Sequence, residues 1–337
     1  MEKFTKDKEL QKEYTQRVFP ELLESLRRDT TCGVFLVMAN DQPIGAPGDF
    51  TGFFLRDSDP VTKADTNSDL LLERGDKTLA RQWGITLDNS WSPAFRFQGK
   101  GIRESDDFFY EPYTAGMAHT GVDMASLGYW SMPFILEDYE MDNHKMITYS
   151  VPLVNDGVIY GVVGTEVSVS YLCNTYFRVQ DLNRQQTAGY AIAVDNGDGT
   201  YENIAGKGNL YDAVQRENGI FKLESTKHED LFKVKDSKIG SQEIYALFSK
   251  MNLYANNVPY KNTNWVLCGF VAEDSIFSLG DKLYSDILTT IVACAVLGLV
   301  IMSVVIRCVT RPVYRLMDSI RSGIAGLKEF APSGIQE

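Results

Sequence analysis

Leu10, Tyr14, Val18, Leu22 and Leu26 recur every fourth residue, and Phe19 and Leu23 widen the stripe. That period predicts a helix over residues 3–28. Residues 32–39 (CGVFLVMA) and 51–58 (TGFFLRDS) read as strands, joined by a loop carrying Pro43, Gly45, Pro47 and Gly48. Residues 68–83 predict a second helix, and 91–134 an aromatic-rich irregular stretch. Residues 145–172 divide into two strands around Asn155-Asp156-Gly157, a strong hairpin signal. The second of these strands is apolar or small throughout except for Glu166. A connecting helix is predicted over 171–184. Beyond it, GYAIAVD and YENIAG flank Asn196-Gly197-Asp198-Gly199, and EIYALFSKMN and NWVLCGFVA add further strands.

Residues 287–306 carry no charge. At about 1.5 Å per residue they span roughly 30 Å, the hydrocarbon thickness of a bilayer. A buried core helix is rarely apolar on every face for such a length. Arg307, Arg311, Arg315 and Arg321 follow directly, which by the positive-inside rule places the C-terminal side in the cytoplasm. Residues before about 286 are then expected outside the cell membrane. The N-terminus is charged and shows no signal-peptide core. Export of the first part therefore implies an upstream membrane anchor, and both ends read as cut.

Charge sharpens this division. The 337 residues carry a net charge of −12, yet after Ile306 five Lys/Arg stand against three acids, a net of +2. The part before it accordingly carries −14, which argues against a nucleic-acid partner. Of five cysteines, Cys294 and Cys308 lie in or beside the apolar segment. Cys32, Cys173 and Cys268 show no metal-ligand spacing and read as small buried hydrophobes, with a disulfide left open. There is no Gly-x-Ser-x-Gly elbow, no phosphate-binding Gly-x-x-x-x-Gly-Lys and no His-Glu-x-x-His, and His119, His144 and His228 lie far apart. Residues 195–199 (DNGDG) lack the later glutamate of a calcium loop and read as a hairpin turn. Neither a catalytic centre nor a metal or cofactor is expected in this segment.

Three stretches carry a resemblance: 106–116 (DDFFYEPYTAG), 129–134 (YWSMPF) and the hairpin 146–172. In this order, before a membrane helix, they resemble the double Cache (dCache) extracellular sensor domain of bacterial transmembrane receptors, over roughly residues 5–278. Residues 310–320 (TRPVYRLMDSI) resemble the first helix of a HAMP linker, with Pro312 as its early proline. The resemblance implies an α+β fold of two tandem PAS-like modules with antiparallel sheets, set on a long N-terminal helix and followed by one transmembrane helix. The expected divisions are a stalk helix at 1–30, a membrane-distal module at 31–184, a membrane-proximal module at 185–280, a transmembrane helix at 287–306 and a truncated linker at 307–337. It also implies small-molecule sensing and signalling by a homodimer. The expected output is a diguanylate cyclase, with a histidine kinase or chemotaxis transducer as alternatives. A membrane-anchored binding protein or enzyme without signalling is the competing class, and the HAMP-like stretch discriminates against it.

Amino-acid-binding members of that family hold the ligand carboxylate with an Arg-x-Trp-Tyr motif and its ammonium with acids. Here Tyr110 matches the tyrosine and Phe109 the tryptophan, but Asp106 or Asp107 stands where the arginine is expected. Leu136 replaces a common aspartate, with Glu137 and Asp138 just after, and Glu166 matches the last acid. The expected ligand is therefore an amine or an amino-acid-like molecule. Its expected contacts are Asp107, Phe109, Tyr110, Tyr113, Trp130, Tyr149 and Glu166. Phe109, Tyr110, Tyr113 and Trp130 would form an aromatic cage for a cation. Core packing is the plainer reading of these aromatics. Arg96 reads as a surface or ion-paired residue that can otherwise supply a carboxylate partner. Glu166 reads as a pocket acid, a helix cap or the partner of a buried arginine, since burying it unpaired is too costly.

Overall fold

A computed structural model of the chain describes residues 2–43, 45–62, 66–119, 121–136, 144–177, 188–215, 219–228, 230–254, 258–260, 264–307 and 311–329. Glu137, Asp138, Thr310 and the C-terminal residues 330–337 lie outside the described residues. The chain forms two compact units, Met1–Ala272 and Glu273–Glu337.

The first unit opens with α1 (Glu2–Lys6) and α2 (Lys8–Arg28). Asp7 separates them, its side chain accepting from the Leu10 amide as an N-cap. The buried face of α2 is Gln11, Thr15, Phe19, Leu23 and Leu26. This lies one residue round from the expected stripe, and Tyr14 is exposed. The rotation has a polar cause: Gln11 Nε2 donates to the Ala39 carbonyl at 2.7 Å, satisfying a strand end that would otherwise be buried unpaired.

The first sheet is built from β1 (Gly33–Met38), β3 (Gly52–Asp57), β4 (Leu70–Arg74), β5 (Thr86–Ser92), β7 (Tyr129–Trp130), β8 (Met146–Asn155) and β9 (Val158–Ser168). Its order is β5-β4-β3-β1-β9-β8-β7, and only β4 and β5 run parallel. A separate ribbon pairs β2 (Gly48–Phe50) with β6 (Phe95–Phe97). The expected helix at 68–83 is divided. Leu70 and Leu72 enter the sheet in β4, and α3 (Lys77–Trp83) starts only after Gly75 at φ 123° and the N-cap Asp76. A glycine at that dihedral ends the strand, and the cap opens the helix. The stretch read as irregular contains α4 (Asp107–Ala118), whose interior Pro112 and crowded aromatics mask its period. The hairpin turn forms as predicted, with Asp156 at φ 48° and Gly157 at φ 73°.

Each face of the sheet buries its own core. Phe19, Leu23 and Leu26 of α2 pack on Val34, Leu36, Met38, Phe53 and Leu55. On the other face, Phe108, Phe109, Tyr110 and Tyr113 of α4 pack with Phe35, Phe54, Phe95, Phe97 and Val162. Gly116 lets α4 approach closely, since a Cβ there would lie 2.9 Å from Pro152 Cβ.

After α5 (Val169–Thr175), β10 (Ala188–Asp195), β11 (Thr200–Lys207), β12 (Ile220–Ser225), β13 (Phe232–Ile239), β14 (Gln242–Met251) and β15 (Asn264–Ala272) close into a barrel. Of the predicted connecting helix over 171–184, the helix ends at Thr175, Tyr176 and Phe177 leave it, and residues 178–184 lie outside the described residues. β15 returns to pair with β10, and α6 (Asn209–Val214) packs Leu210 and Val214 into the barrel core. The DNGDG segment is the β10–β11 turn, with Asp195 and Asp198 accepting from the Gly197 and Thr200 amides. The chain is thus an α+β protein with a long N-terminal helix and two sheet modules, the second closed on itself.

The second unit holds α7 (Glu273–Val305) and α8 (Arg311–Glu329). Within α7, Lys282–Val305 is long and apolar enough to cross a membrane. No linker residue separates the end of β15 at Ala272 from the start of α7 at Glu273.

Candidate functional site

One rung of the first sheet answers the question raised by Glu166. Reading across β8, β9, β1, β3 and β4, it runs Thr148, Glu166, Gly33, Arg56, Leu71. Paired residues share a face, so Glu166 and Arg56 both point to the α4 side with only Gly33 between them. A Cβ on Gly33 would lie 2.5 Å from Glu166 Oε2. Its absence lets the carboxylate lie across β1 and meet Arg56 Nε at 3.3 Å. Glu73, two residues beyond Leu71, reaches Arg56 Nη1 with Oε1 at 2.7 Å. All three side chains are buried. Glu166 is therefore engaged by a buried arginine, one of the roles open to it in the sequence.

A regular period-2 strand sets Val158, Tyr160, Val162, Gly164 and Ser168 on the face of Glu166, with Ile159, Val163, Val167 and Val169 opposite, and this expectation needs one correction. The register shifts between Leu153 and Val154, so β9 is bulged near Tyr160. Ile159 joins the α4-side core, while Tyr160 turns away and packs edge-on against Phe4 at 5.5 Å.

The expected aromatic cage is not assembled. Phe109, Tyr110 and Tyr113 are buried in the core, with Phe109 against Phe97 and Phe50 at 4.9 Å and Tyr113 at 5.1 Å. Tyr110 Oη donates to the Ala46 carbonyl at 2.7 Å. Trp130 and Tyr149 lie on the opposite face. Ser150 pairs with Gly164 on the Phe35 side, so its neighbour Tyr149 points away. Their rings meet at 5.0 Å, and Trp130 continues to Trp265 of the barrel at 6.4 Å. Strand alternation thus divides the proposed contacts between two environments. Asp107 stands in the first turn of α4, half-buried. Burial and the nearby Glu111 and Glu104 push its carboxyl up to about 6.

On the α4 side the structure opens a cleft of about 270 Å³ that the sequence did not single out. It is lined by Arg74, Ser92, Arg96, Gln98, Arg103 and Asp106, with Phe95, Phe97 and Leu136 as apolar walls. Asp106 Oδ2 accepts from the Gln98 amide at 2.8 Å, which fixes one wall. Burial pushes its carboxyl above the ordinary value. Arg74 Nη1 donates to the Glu73 and Ser90 carbonyls at 2.7 and 3.0 Å. Arg96, at the rim, pairs with Asp49 at 3.3 Å. Arg74 and Arg103 line the cleft together with Asp106, and guanidiniums of this kind can hold a carboxylate or similar anion. A signal for Arg56, Glu73 and Arg74 was present: like Glu166, they interrupt apolar strands (FFLRD and LLLER). Among the described residues, no group of His, Cys, Asp and Glu has a metal-binding arrangement.

No family model and no curated protein matches the sequence. Solved structures do. The chain is similar to the ligand-binding domain of the Pseudomonas aeruginosa PAO1 amino acid chemoreceptor PctB in complex with L-Arg, at 13% identity and a TM-score of 0.37, covering 79% of this chain and 78% of that one. It is similar to the extracellular domain of the putative histidine kinase soHK1S-Z6, at 13% identity and a TM-score of 0.39, over 78% and 79% of the two chains. It is also similar to the sensory domain of the Campylobacter jejuni chemoreceptor Tlp3, at 13% identity and a TM-score of 0.36, over 81% and 78%.

Proposed function

We propose that this chain is the sensor portion of a membrane-anchored receptor that binds a small anionic or zwitterionic molecule, amino-acid-like in its chemistry, outside the cell. The observation that carries the reading is the arginine-lined cleft in a module whose chain runs on into a membrane-length helix. The guanidiniums would take a carboxylate, and Asp106 would take an ammonium group where the ligand has one. A plain amine loses its basis, since the aromatic rings expected to cage it are packed in the core and on opposite sheet faces.

Signalling rather than mere anchoring is favoured by α8. Val313, Met317 and Ile320 are spaced by four and three residues, the repeat of a helix that would pair with a second copy. An anchor has no use for such a repeat. Ligand binding would bias two arrangements of the paired helices. A diguanylate cyclase, a histidine kinase or a chemotaxis transducer would each receive the signal through the same helix. The test is calorimetric titration of the chain with small carboxylates, amino acids and amines, repeated with Arg103→Ala. We expect binding of carboxylate-bearing molecules and an affinity loss of about tenfold or more in the variant. Binding of amines alone, or undiminished affinity in the variant, overturns the reading.

A further inference from the structure

α8 turns an apolar face outward. Val313, Leu316, Met317 and Ile320 recur at the three- and four-residue spacing that gathers side chains on one side of a helix. Tyr314 widens that side, and all five are more than half exposed. A contiguous apolar face of this kind marks an interaction surface. Arg311, Arg315 and Ser322 fall on the opposite side, and Arg321, two turns on from Tyr314, lies at the boundary.

Position and charge decide what covers the face. The membrane-length segment ends at Val305 and α8 begins at Arg311. The chain between them reaches at most about 20 Å even when fully extended. α8 therefore starts at the rim of the bilayer, within reach of lipid headgroups. Over residues 307–322, Arg307, Arg311, Arg315 and Arg321 stand against Asp318 alone, a net of +3. A second copy would bring the same positive charge against it, which opposes pairing. The stripe is also broader than the two-in-seven seam that pairing needs. An anionic surface attracts this charge and accepts a broad apolar face.

We propose that α8 lies on the anionic lipid headgroups of the leaflet from which it emerges, with Val313, Leu316, Met317 and Ile320 in the acyl boundary and the arginines drawn to the phosphates. Tyr314, apolar in its ring and polar at its tip, suits the level between the two. Each arginine held near such a surface raises the ratio of lipid-bound to free helix roughly fivefold, and salt screens the attraction. Pairing with a second copy would bury Val313, Met317 and Ile320 as well, so the lipid-bound and paired arrangements exclude one another. The docking does not rest on what the arginine-lined cleft binds.

The experiment is photo-crosslinking of the full chain reconstituted into vesicles of phosphatidylcholine alone or of an equimolar mixture with phosphatidylglycerol. Benzoylphenylalanine replaces Met317 on the apolar face or Ser322 on the opposite face, and mass spectrometry identifies what each captures on irradiation. Lipid adducts are expected at position 317 several-fold above those at 322. They are expected to be more abundant in the mixture than in phosphatidylcholine alone, with the excess lost at high salt. Arg315→Gln combined with Arg321→Gln is expected to lower the ratio of lipid-bound to free helix by roughly tenfold or more, seen as fewer adducts at 317 in the mixture. Both arginines are exposed, so the rest of the chain should fold unchanged. Equal capture at the two positions, or adducts indifferent to phosphatidylglycerol and to the arginine substitutions, overturns the proposal. Capture of a second copy at 317 in place of lipid overturns it too, while leaving the sensor reading intact.

Discussion

Replacing Arg56 with methionine is the sharpest test of how the first sheet is held together. The guanidinium meets Glu73 at 2.7 Å and Glu166 at 3.3 Å, from the fourth position of a rung spanning five strands. Methionine fills much the same volume but leaves both acids buried without that partner. Removing one member of a buried, ion-paired cluster costs about 3–5 kcal/mol. For a compact unit of this size each kcal/mol lowers Tm by roughly 2–4 °C, so a fall of about 6–20 °C is expected. Glu166→Gln is the informative contrast. It leaves Arg56 engaged by Glu73 and keeps a hydrogen-bonding group in place, so its expected cost is only about 1–2 kcal/mol. Both are read by circular dichroism on heating, with Arg17→Met as a control that leaves Tm unchanged, because the Arg17–Glu13 pair is solvent-exposed. Should Glu166→Gln cost as much as Arg56→Met, or Arg56→Met cost nothing, the view of Arg56 as the hub of this cluster is wrong.

Gly33→Ala places a methyl group in the path of the Glu166 carboxylate and 3.0 Å from the Leu55 carbonyl oxygen. It is expected to cost about 1–3 kcal/mol, seen as a lower urea midpoint at unchanged slope. Part of that cost should vanish in a Glu166→Ala background, and a strictly additive double mutant cycle would refute the shared path. Phe109→Ala is expected to cost about 3–5 kcal/mol as a core truncation, while Phe109→Leu stays below about 1.5 kcal/mol. Equal and small effects of the two on thermal unfolding would restore the ring to a surface role.

The site was only partly legible. The alternation of residues 162–168 groups Glu166 with Val162, Gly164 and Ser168, and the structure keeps Val162 and Gly164 on its face; that this face carries α4, rather than the floor of a pocket, was not read from the sequence. The single-residue bulge near Tyr160 was invisible, because a period-2 pattern carries no mark of where an extra residue is inserted. Trp130 and Tyr149 looked like companions of Phe109 because all are aromatic and lie near one another in the sequence. Their separation onto opposite faces is set by the pairing of Tyr149 with Thr165, a register that only the folded sheet defines. The arginines of the cleft come from β4, the β6 ribbon and the turn before α4, and no spacing in the sequence joins them.

What the sequence determined by itself is local. The apolar period of α2, the Asp156-Gly157 turn and the charge-free length of α7 each follow from residues within one element, where neighbours along the chain are neighbours in space. What the tertiary structure decided is long-range: the closing of β15 onto β10, the one-residue rotation of the buried face of α2, and above all the partner of Glu166. That partner lies 110 residues away and is reached across a glycine on a third strand. Burying a carboxylate demands a counter-charge, so the sequence could announce that a partner exists. Only the register of three strands could say that it is Arg56.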